Sequence, residues 1–501
     1  MKTEQKHDQN HAFPDIAKKD IYIFSMLVGV HFLLVEYLIT RGLEFNLSPL
    51  NYYGQFLDRS LLTTQLYKSL LYLHSQPPLY NLIMGIILKT AGSQPLFAFT
   101  WLYRSIAALT IIIFYLQIRF LGLPAGFSSL IGLFFVFNPA LIAYEYHLFY
   151  PLIAAFLLLL SSFLLTIALK HTRLLYLMLF FLVILLLGTL RSSYNLGFLL
   201  IVAALVLFGK KWNIRQILIA AAPAVVLFLM LIGKNLILFQ LVSPSSWLGM
   251  NLAHMTINAL SVDQRQALVA SDKVSDVILI PPFQEIGAYP RDLWEPHAEL
   301  CSDDLPALCE PLKMNGRPNL NFIGYIPVSR EYLQAGIYII RHFPLQYLLQ
   351  VKQAWIIYFK PAHHAIGISG ENLISMQPLL EVVDPILCDD HERNKVCLNF
   401  AFVYCLTLIA SLPYLLSYFF NPRKKKPQDL ILSFLLITIL YSALINTLID
   451  VGENNRFRFE SDFIFLVMLS VMLYYFLSRP AKFWYLRITG MGGHPDDLVS
   501  R

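Results

Sequence analysis

Apolar runs alternate with short polar segments along most of the chain. Runs such as FLLLLSSFLLTIAL and LMLFFLVILLLG carry no charge, and about 20 such residues let a helix cross roughly 30 Å of hydrocarbon. The pattern predicts an all-α polytopic membrane protein, a bundle of about ten transmembrane helices with outer juxtamembrane helices. The predicted spans are 21–41, 98–118, 125–144, 148–169, 174–190, 195–209, 215–239, 397–420, 429–450 and 462–478.

A double proline, Pro77–Pro78, interrupts the first half of the chain. The apolar segment that follows it, 79–91, has about 13 residues, which is too few to cross a bilayer. If this segment does not cross, the basic segments between spans, such as RKKK at 423–426, all fall on one side. The positive-inside rule makes that side cytoplasmic. We therefore predict a non-crossing helix near 79–91 and both termini in the cytoplasm.

The predicted spans and loops divide the chain into modules. The largest loop ends in an apolar segment interrupted by Arg341, Lys352 and Lys360, which predicts a helix lying in the membrane interface and not a span. The predicted parts are a cytoplasmic tail (1–20), an N-terminal transmembrane module with catalytic outer loops (21–239), a large outer loop region (240–396), a C-terminal transmembrane module (397–478) and a second tail (479–501).

Composition agrees with a membrane protein and argues against a nucleic-acid partner. The 501 residues are 57% hydrophobic and 14% charged, whereas about 25% of residues are charged in an ordinary soluble protein. The net charge of +6 comes with basic residues in short loops between spans, where they orient the helices. We predict contact with membrane lipid and no binding of nucleic acid.

Four of the five cysteines lie in the large outer loop region or at its end. Cys301 and Cys309 flank SDDLPAL, and Cys388 and Cys397 flank DDHERNKV. In an oxidising compartment such close pairs predict two short disulfides, with free thiols or a zinc site using His391 as weaker alternatives.

Carboxylates at the predicted outer ends of spans are candidates for catalysis, because ionisable groups near a membrane are costly unless they serve a function. Asp58 lies in the first outer loop, and Glu145 lies between two spans beside His147 and Tyr150. We select Asp58 and Glu145 as catalytic candidates, and His147 and Tyr150 as further site candidates. Asp58 could instead cap a helix, and Glu145 could be an interfacial carboxylate.

Three arginines at predicted outer ends are candidates for phosphate binding. Arg191 follows an apolar span, and Arg456 and Arg458 lie with Glu453 in ENNRFRF. A guanidinium is well suited to phosphate, and the predicted outer location runs against the positive-inside bias. Arg456 and Arg458 point the same way if the segment is extended and diverge if it is helical. Glu453 is a further site candidate, and lipid headgroups are the alternative ligand.

The segment HSQPPLYNL contains three further site candidates, His74, Gln76 and Tyr80. His74 could act as a ligand or a base, but a lone histidine beside prolines more often has a structural role.

Three segments, taken in order, resemble the GT-C class of integral-membrane glycosyltransferases. They are the first outer loop with Asp58 followed by PPLY, the carboxylate of NPALIAYE, and ENNRFRF before the last span. The likeness is to the bacterial branch that includes protein mannosyltransferases and lipid A aminoarabinose transferases. In that branch HPPLYY-like, P-x-x-x-Y-x-x-E/D-like and E-x-RY-like segments occur in this order.

The resemblance implies a glycosyltransferase of the bacterial inner membrane with its active site facing the periplasm or exterior. The donor would be a polyprenyl-phosphate-linked sugar, and the acceptor a hydroxyl group of a glycan, lipid or protein. A carboxylate base would assist an inverting displacement. No cofactor is certain; a divalent metal stays open because some relatives use one, although no residues here form a convincing ligand set.

A transporter or flippase of lipid-linked glycans is the main alternative. Such a protein would hold a pyrophosphate with the same arginines but would need no base. Charges and broken helices near the membrane midplane are typical of transporters. In this chain the charges lie at the predicted outer ends, which favours the enzyme.

Overall fold

The computed structural model describes residues 16–209, 211–298, 301–302, 304–365, 367–388, 396–420 and 427–489. These residues form helices and two isolated β-bridges. The α-helices of the N-terminal part are α1 (Lys18–Thr40), α2 (Pro49–Tyr52), α3 (Arg59–Thr64), α4 (Leu66–Leu71), α5 (Leu79–Thr90), α6 (Pro95–Phe120), α7 (Ala125–Val136), α8 (Pro139–Glu145), α9 (Pro151–His171), α10 (Leu174–Leu190), α11 (Leu196–Phe208) and α12 (Ile214–Phe239).

The remaining helices form a middle region and a C-terminal group. They are α13 (Leu248–Ile257), α14 (Val262–Ala270), α15 (Arg291–Ala298), α16 (Pro306–Cys309), α17 (Tyr325–His342), α18 (Pro344–Tyr358), α19 (Gly370–Ser375), α20 (Gln377–Leu387), α21 (Leu398–Phe420), α22 (Pro427–Ile449) and α23 (Asn454–Thr489). Four 3-10 helices cover Ser192–Tyr194, Asp276–Leu279, Ile286–Ala288 and Ala362–His364.

Seven of the described helices are long and apolar enough to cross a membrane, namely α1, α6, α9, α12, α21, α22 and the Asn454–Ser478 part of α23. The pair α7 and α8, bent by 54°, is an eighth candidate span. Two shorter apolar helices, α10 and α11, coincide with the remaining predicted spans. The prediction of an all-α polytopic membrane protein is therefore confirmed.

The bend between α7 and α8 follows from the sequence Asn138–Pro139. Proline has no N–H to donate and suits the first turn of a helix, while asparagine is a good N-cap. The Asn138 side chain accepts a hydrogen bond of 2.9 Å from the N–H of Ala140. The same two residues therefore end α7 and begin α8, which carries Glu145 at its C-terminal end.

The bundle has a buried centre and a peripheral layer. In α9 and α22, 72% of the most apolar stretch of the helix is buried inside the protein. The buried fraction is 22% in α1 and 17% in α21. The less buried helices present apolar side chains outward, as helices facing lipid do. The centre of the bundle therefore contains α9, which Tyr150 precedes, and α22, which Asp450 follows.

The middle region has an apolar cluster of its own, centred on Trp247, Met250, Tyr325 and Tyr332. Helices α13 and α17 cross closely at Gly249. They lie so close together there that any side chain at position 249 would overlap the backbone of Ser329. The segment predicted to form an interfacial helix contains two helices, α17 and α18, with α18 beginning at Pro344. Neither is both long and apolar enough to cross a membrane.

Both predicted disulfides are present, Cys301–Cys309 and Cys388–Cys397. The latter joins the end of α20 to the residue before α21, so it ties the middle region to the C-terminal helices. Cys405 lies in α21 as a free cysteine, and His391 lies outside the described residues.

Candidate active site

A cavity of about 390 Å³ lies where five segments of the chain meet at one end of the bundle. The segments are the first loop, the turn before α9, the turn after α10, the middle region, and the hairpin between α22 and α23. Five of the site candidates line the cavity: Gln76, Tyr150, Arg191, Glu453 and Arg456.

The hairpin between α22 and α23 is fixed by its own sequence, DVGENNRF. Gly452 has φ of +134°, a value that L residues rarely adopt. The Asn454 amide donates to the carbonyls of Asn446 and Asp450, at 3.2 and 3.0 Å. The second bond supplies a donor to the Asp450 carbonyl, which lies just beyond the end of α22. The tight turn therefore holds Asp450, Glu453 and the start of α23 against the cavity.

Because ENNRFRF is helical from Asn454 onward, its two arginines diverge. Arg456 lines the cavity, whereas Arg458 does not. The Arg458 Nη1 group donates to the carbonyls of Tyr358 and Lys360, at 2.8 and 3.0 Å, and Nε donates to Asp462 at 3.2 Å. Arg458 therefore holds α23 against the end of α18.

Arg456 is almost fully buried, with an ion pair to Glu453 through Nη2. Its guanidinium carbon lies 4.6 Å from the ring centre of Phe149, 5.6 Å from Tyr150 and 4.9 Å from Phe457. Two of its donors, Nε and Nη1, have no hydrogen-bond partner among the described residues. A buried donor without a partner is costly, so this group is suited to an anion that enters the cavity.

Arg191 lies close to Arg456, since both contact the ring of Phe457, with Arg191 at 4.1 Å. Its Nη1 pairs with Glu460, and its Nη2 donates to Asn446 Oδ1 at 2.9 Å. Glu460 was not among the sequence-based candidates. Its position four residues after Arg456 places it one helical turn further along α23, a relation that becomes visible once this segment is known to be helical.

Facing the same cavity is a histidine–aspartate pair that sequence reasoning missed. His254 of α13 has Nδ1 2.9 Å from Asp450 Oδ1, and both residues line the cavity. The side chains are 34% and 19% exposed, so they are accessible to a substrate. With Nδ1 bonded to a carboxylate, Nε2 is the nitrogen that can accept a proton.

His74 holds two regions together and does not line the cavity. Its Nδ1 lies 2.9 Å from Ser246 Oγ, and its Nε2 lies 2.9 Å from the carbonyl of Asn321. Burial lowers the pKa of His74 to about 3, so the ring is neutral. Tyr80 is also buried and bonds the hydroxyl of Tyr103 at 2.8 Å.

Asp58 caps α3, accepting a hydrogen bond of 2.8 Å from the N–H of Ser60. Its second oxygen accepts one of 2.7 Å from the N–H of Met314. Burial opposes ionisation of Asp58, but these bonds and the charge of Lys313 outweigh it and lower its pKa. Asp58 lines a separate hollow of about 410 Å³.

Glu145 is fully buried and pairs with His31, whose Nε2 lies 2.7 Å from the carboxylate. It does not line the cavity. The neighbouring His147 lies 3.3 Å from the hydroxyl of Tyr53, which does line the cavity. Burial lowers the pKa of His147 to about 4. The structure therefore does not bring Asp58, Glu145 or His147 to the surface of the cavity that holds Arg191 and Arg456.

The chain matches no protein-family model and no curated protein. Among solved structures it is similar to the archaeal oligosaccharyltransferase AglB from Archaeoglobus fulgidus, solved with an inhibitory peptide and a dolichol-phosphate. The identity is 12% and the TM-score 0.36, over 95% of this chain and 53% of AglB. This chain thus spans about half the length of that protein.

Proposed function

We propose that this chain is a membrane glycosyltransferase that moves a sugar from a polyprenyl-phosphate donor to an acceptor hydroxyl group. One observation carries the proposal: a single cavity at the ends of apolar helices contains Arg456, with two unpartnered donors, and the His254–Asp450 pair. This transfer requires a group that binds the departing phosphate and a group that accepts the proton of the acceptor hydroxyl.

The arginines would stabilise the departing phosphate. As the bond between the anomeric carbon and the phosphate oxygen breaks, negative charge grows on that oxygen. Arg456, whose buried Nε and Nη1 have no partner among the described residues, would bind the developing charge more strongly than the neutral ester oxygen. Arg191, which contacts the same Phe457 ring, would contribute a second positive charge.

His254 would act as the general base in place of the carboxylates selected from the sequence. The acceptor oxygen attacks the anomeric carbon as its proton moves to His254 Nε2. Asp450 holds the Nδ1–H and stabilises the imidazolium that forms. Attack opposite to the leaving phosphate inverts the anomeric centre. We assign the base to His254 because Asp58 and Glu145 lie outside the lining of this cavity.

An assay in detergent separates this proposal from a transporter. The purified chain is incubated with lipid extract and envelope material from a strain that lacks it, and lipids are analysed by mass spectrometry. We expect sugar-bearing polyprenyl phosphates to lose their sugar and the mass of an envelope component to increase. A transporter needs a sealed membrane. If cells need the chain to modify the envelope component, but the purified chain transfers no sugar in detergent, the proposal is overturned.

A further inference from the structure

Outside the cavity, two histidines and an aspartate converge between the end of the middle region and the bundle. His363 and His364 lie in the 3-10 helix after α18, and Asp384 lies on α20. One ligating atom from each residue lies within 4.8 Å of the others. His363 Nε2 is 3.2 Å from Asp384 Oδ1 and 3.4 Å from Oδ2.

Two residues of this cluster are shielded from solvent, and His364 is half-buried. His363 and Asp384 are only 4% and 7% exposed. Within the described part of the chain, Asp384 Oδ1 accepts no well-aligned hydrogen bond. A buried carboxylate is costly unless a positive charge or several donors compensate it. Within the described residues a single ring nitrogen, Nε2 of His363, lies within hydrogen-bonding distance of the carboxylate, which leaves most of its acceptor capacity unused.

The spacing suits a metal ion as well as a direct hydrogen bond. Ligand atoms about 2.0–2.1 Å from a tetrahedral zinc ion lie roughly 3.3 Å from one another. The separations between His363 and Asp384 match this length. Imidazole nitrogens and carboxylate oxygens are also the ligands that borderline divalent metals prefer. We propose that His363, His364 and Asp384 bind a divalent transition metal of the zinc type.

The surroundings of the cluster indicate a positioning role. The residues just before it hold the start of α23: the Pro361 carbonyl accepts from Asn455 at 2.9 Å, and the Lys360 carbonyl accepts from Arg458 at 3.0 Å. On the other side, Asp384 is one turn from the Cys388–Cys397 disulfide. A metal here cross-links the turn that supports α23 to α20, at a distance from the cavity lining.

The decisive measurement is metal content, which does not depend on the proposed function. The full chain, purified without a histidine tag, is stripped with chelator, loaded with Zn²⁺ or Co²⁺, desalted and analysed by elemental mass spectrometry. We expect about one tightly held ion per chain and, for Co²⁺, visible absorption of a tetrahedral nitrogen–oxygen site.

Variants locate the ion. His363→Ala and Asp384→Asn should weaken binding more than roughly tenfold, the smallest effect expected even for loss of an outer-shell partner. His342→Ala, which removes an exposed histidine on α17, should bind like the unchanged chain. The proposal is overturned if the unchanged chain retains neither metal, or if His363→Ala and Asp384→Asn bind as well as His342→Ala. If one of these two variants fails to fold, metal binding by the other locates the ion.

Discussion

Arg456 and Arg458 are two residues apart, yet their guanidinium groups have different tasks. Arg458 uses its donors on two backbone carbonyls and Asp462. Arg456 keeps Nε and Nη1 without partners among the described residues and lines the cavity. The two arginines carry the same charge, but their different hydrogen bonds predict that replacement by lysine has different effects at the two positions.

We expect Arg456→Lys to lower the turnover of donor by roughly 10²-fold, because an ammonium group is a point charge and cannot present the planar fork of a guanidinium. Arg458→Lys is the matched control and should retain most of the turnover, since its contacts support the helix. Both are measured by release of sugar from the lipid donor, at equal protein levels in the membrane. Full turnover by Arg456→Lys would contradict the phosphate assignment.

His254 and Asp450 should both be needed for turnover. His254→Gln preserves approximate size but removes the base, and Asp450→Asn removes the carboxylate that orients the ring, so each should lower kcat by roughly 10²-fold or more. Asp58→Asn keeps a good helix cap and should leave kcat near normal. If Asp58→Asn lost turnover and His254→Gln kept it, the base would be Asp58.

The sequence indicates several of the residue types that the site uses, but it does not indicate which side chains contact one another. Arg191 and Glu460 are 269 positions apart, and His254 and Asp450 are 196 positions apart. Hydropathy and motif spacing report local structure, so they mark Arg191 and Arg456 as unusual charges without indicating their partners. His254 lies in a region without a resembling motif, and nothing local distinguishes it.

At the scale of elements, spans are the most predictable feature because about 20 apolar residues are needed wherever a helix crosses a bilayer. The predicted span 429–450 and the helix α22 (Pro427–Ile449) differ by two residues at the start. The last helix departs most, since it begins at Asn454 and not near 462. Its first turns are rich in charge and depend on contacts such as Asn455 with the Pro361 carbonyl, which hydropathy does not register.

The crossing of α13 over α17 positions His254, so it can be tested through Gly249. We expect Gly249→Ala to destabilise the protein by about 1–3 kcal/mol, because the added methyl group overlaps the Ser329 backbone and forces the helices apart. The measurement is the thermal unfolding midpoint in detergent. Gly233→Ala, with open space around the added Cβ, is the control and should not lower it. Equal midpoints for both variants would contradict the close crossing.

At the scale of the whole molecule, the cavity constrains how many helices cross the membrane. The turns before α9 and after α10 both line it, and so does the start of the middle region after α12. Segments that meet in one cavity lie on the same side of the bilayer, so an even number of crossings separates them. Helices α9 and α12 are long enough to span. If they do span, this parity predicts that α10 and α11 cross as well.

The same parity bears on α5. The loop before it contacts the turn before α9, because the rings of Tyr53 and Phe149 stack at 4.3 Å. If α6 and the bent pair α7–α8 each cross once between these segments, a crossing by α5 would place the segments on opposite sides. This parity supports the prediction that α5 does not cross.

Reporter fusions test this topology directly. If α5 does not cross and the basic RKKK segment stays inside, a fusion after Gly92 should lie on the outer side and one within 423–426 on the cytoplasmic side. A fusion after Lys273, an exposed residue of the middle region, is the outer-side control. Activity of an exported reporter and fluorescence of a cytoplasmic one are measured for each position. If Gly92 reports the same side as 423–426 while Lys273 reports the other, α5 crosses the membrane and the ten-span arrangement is wrong.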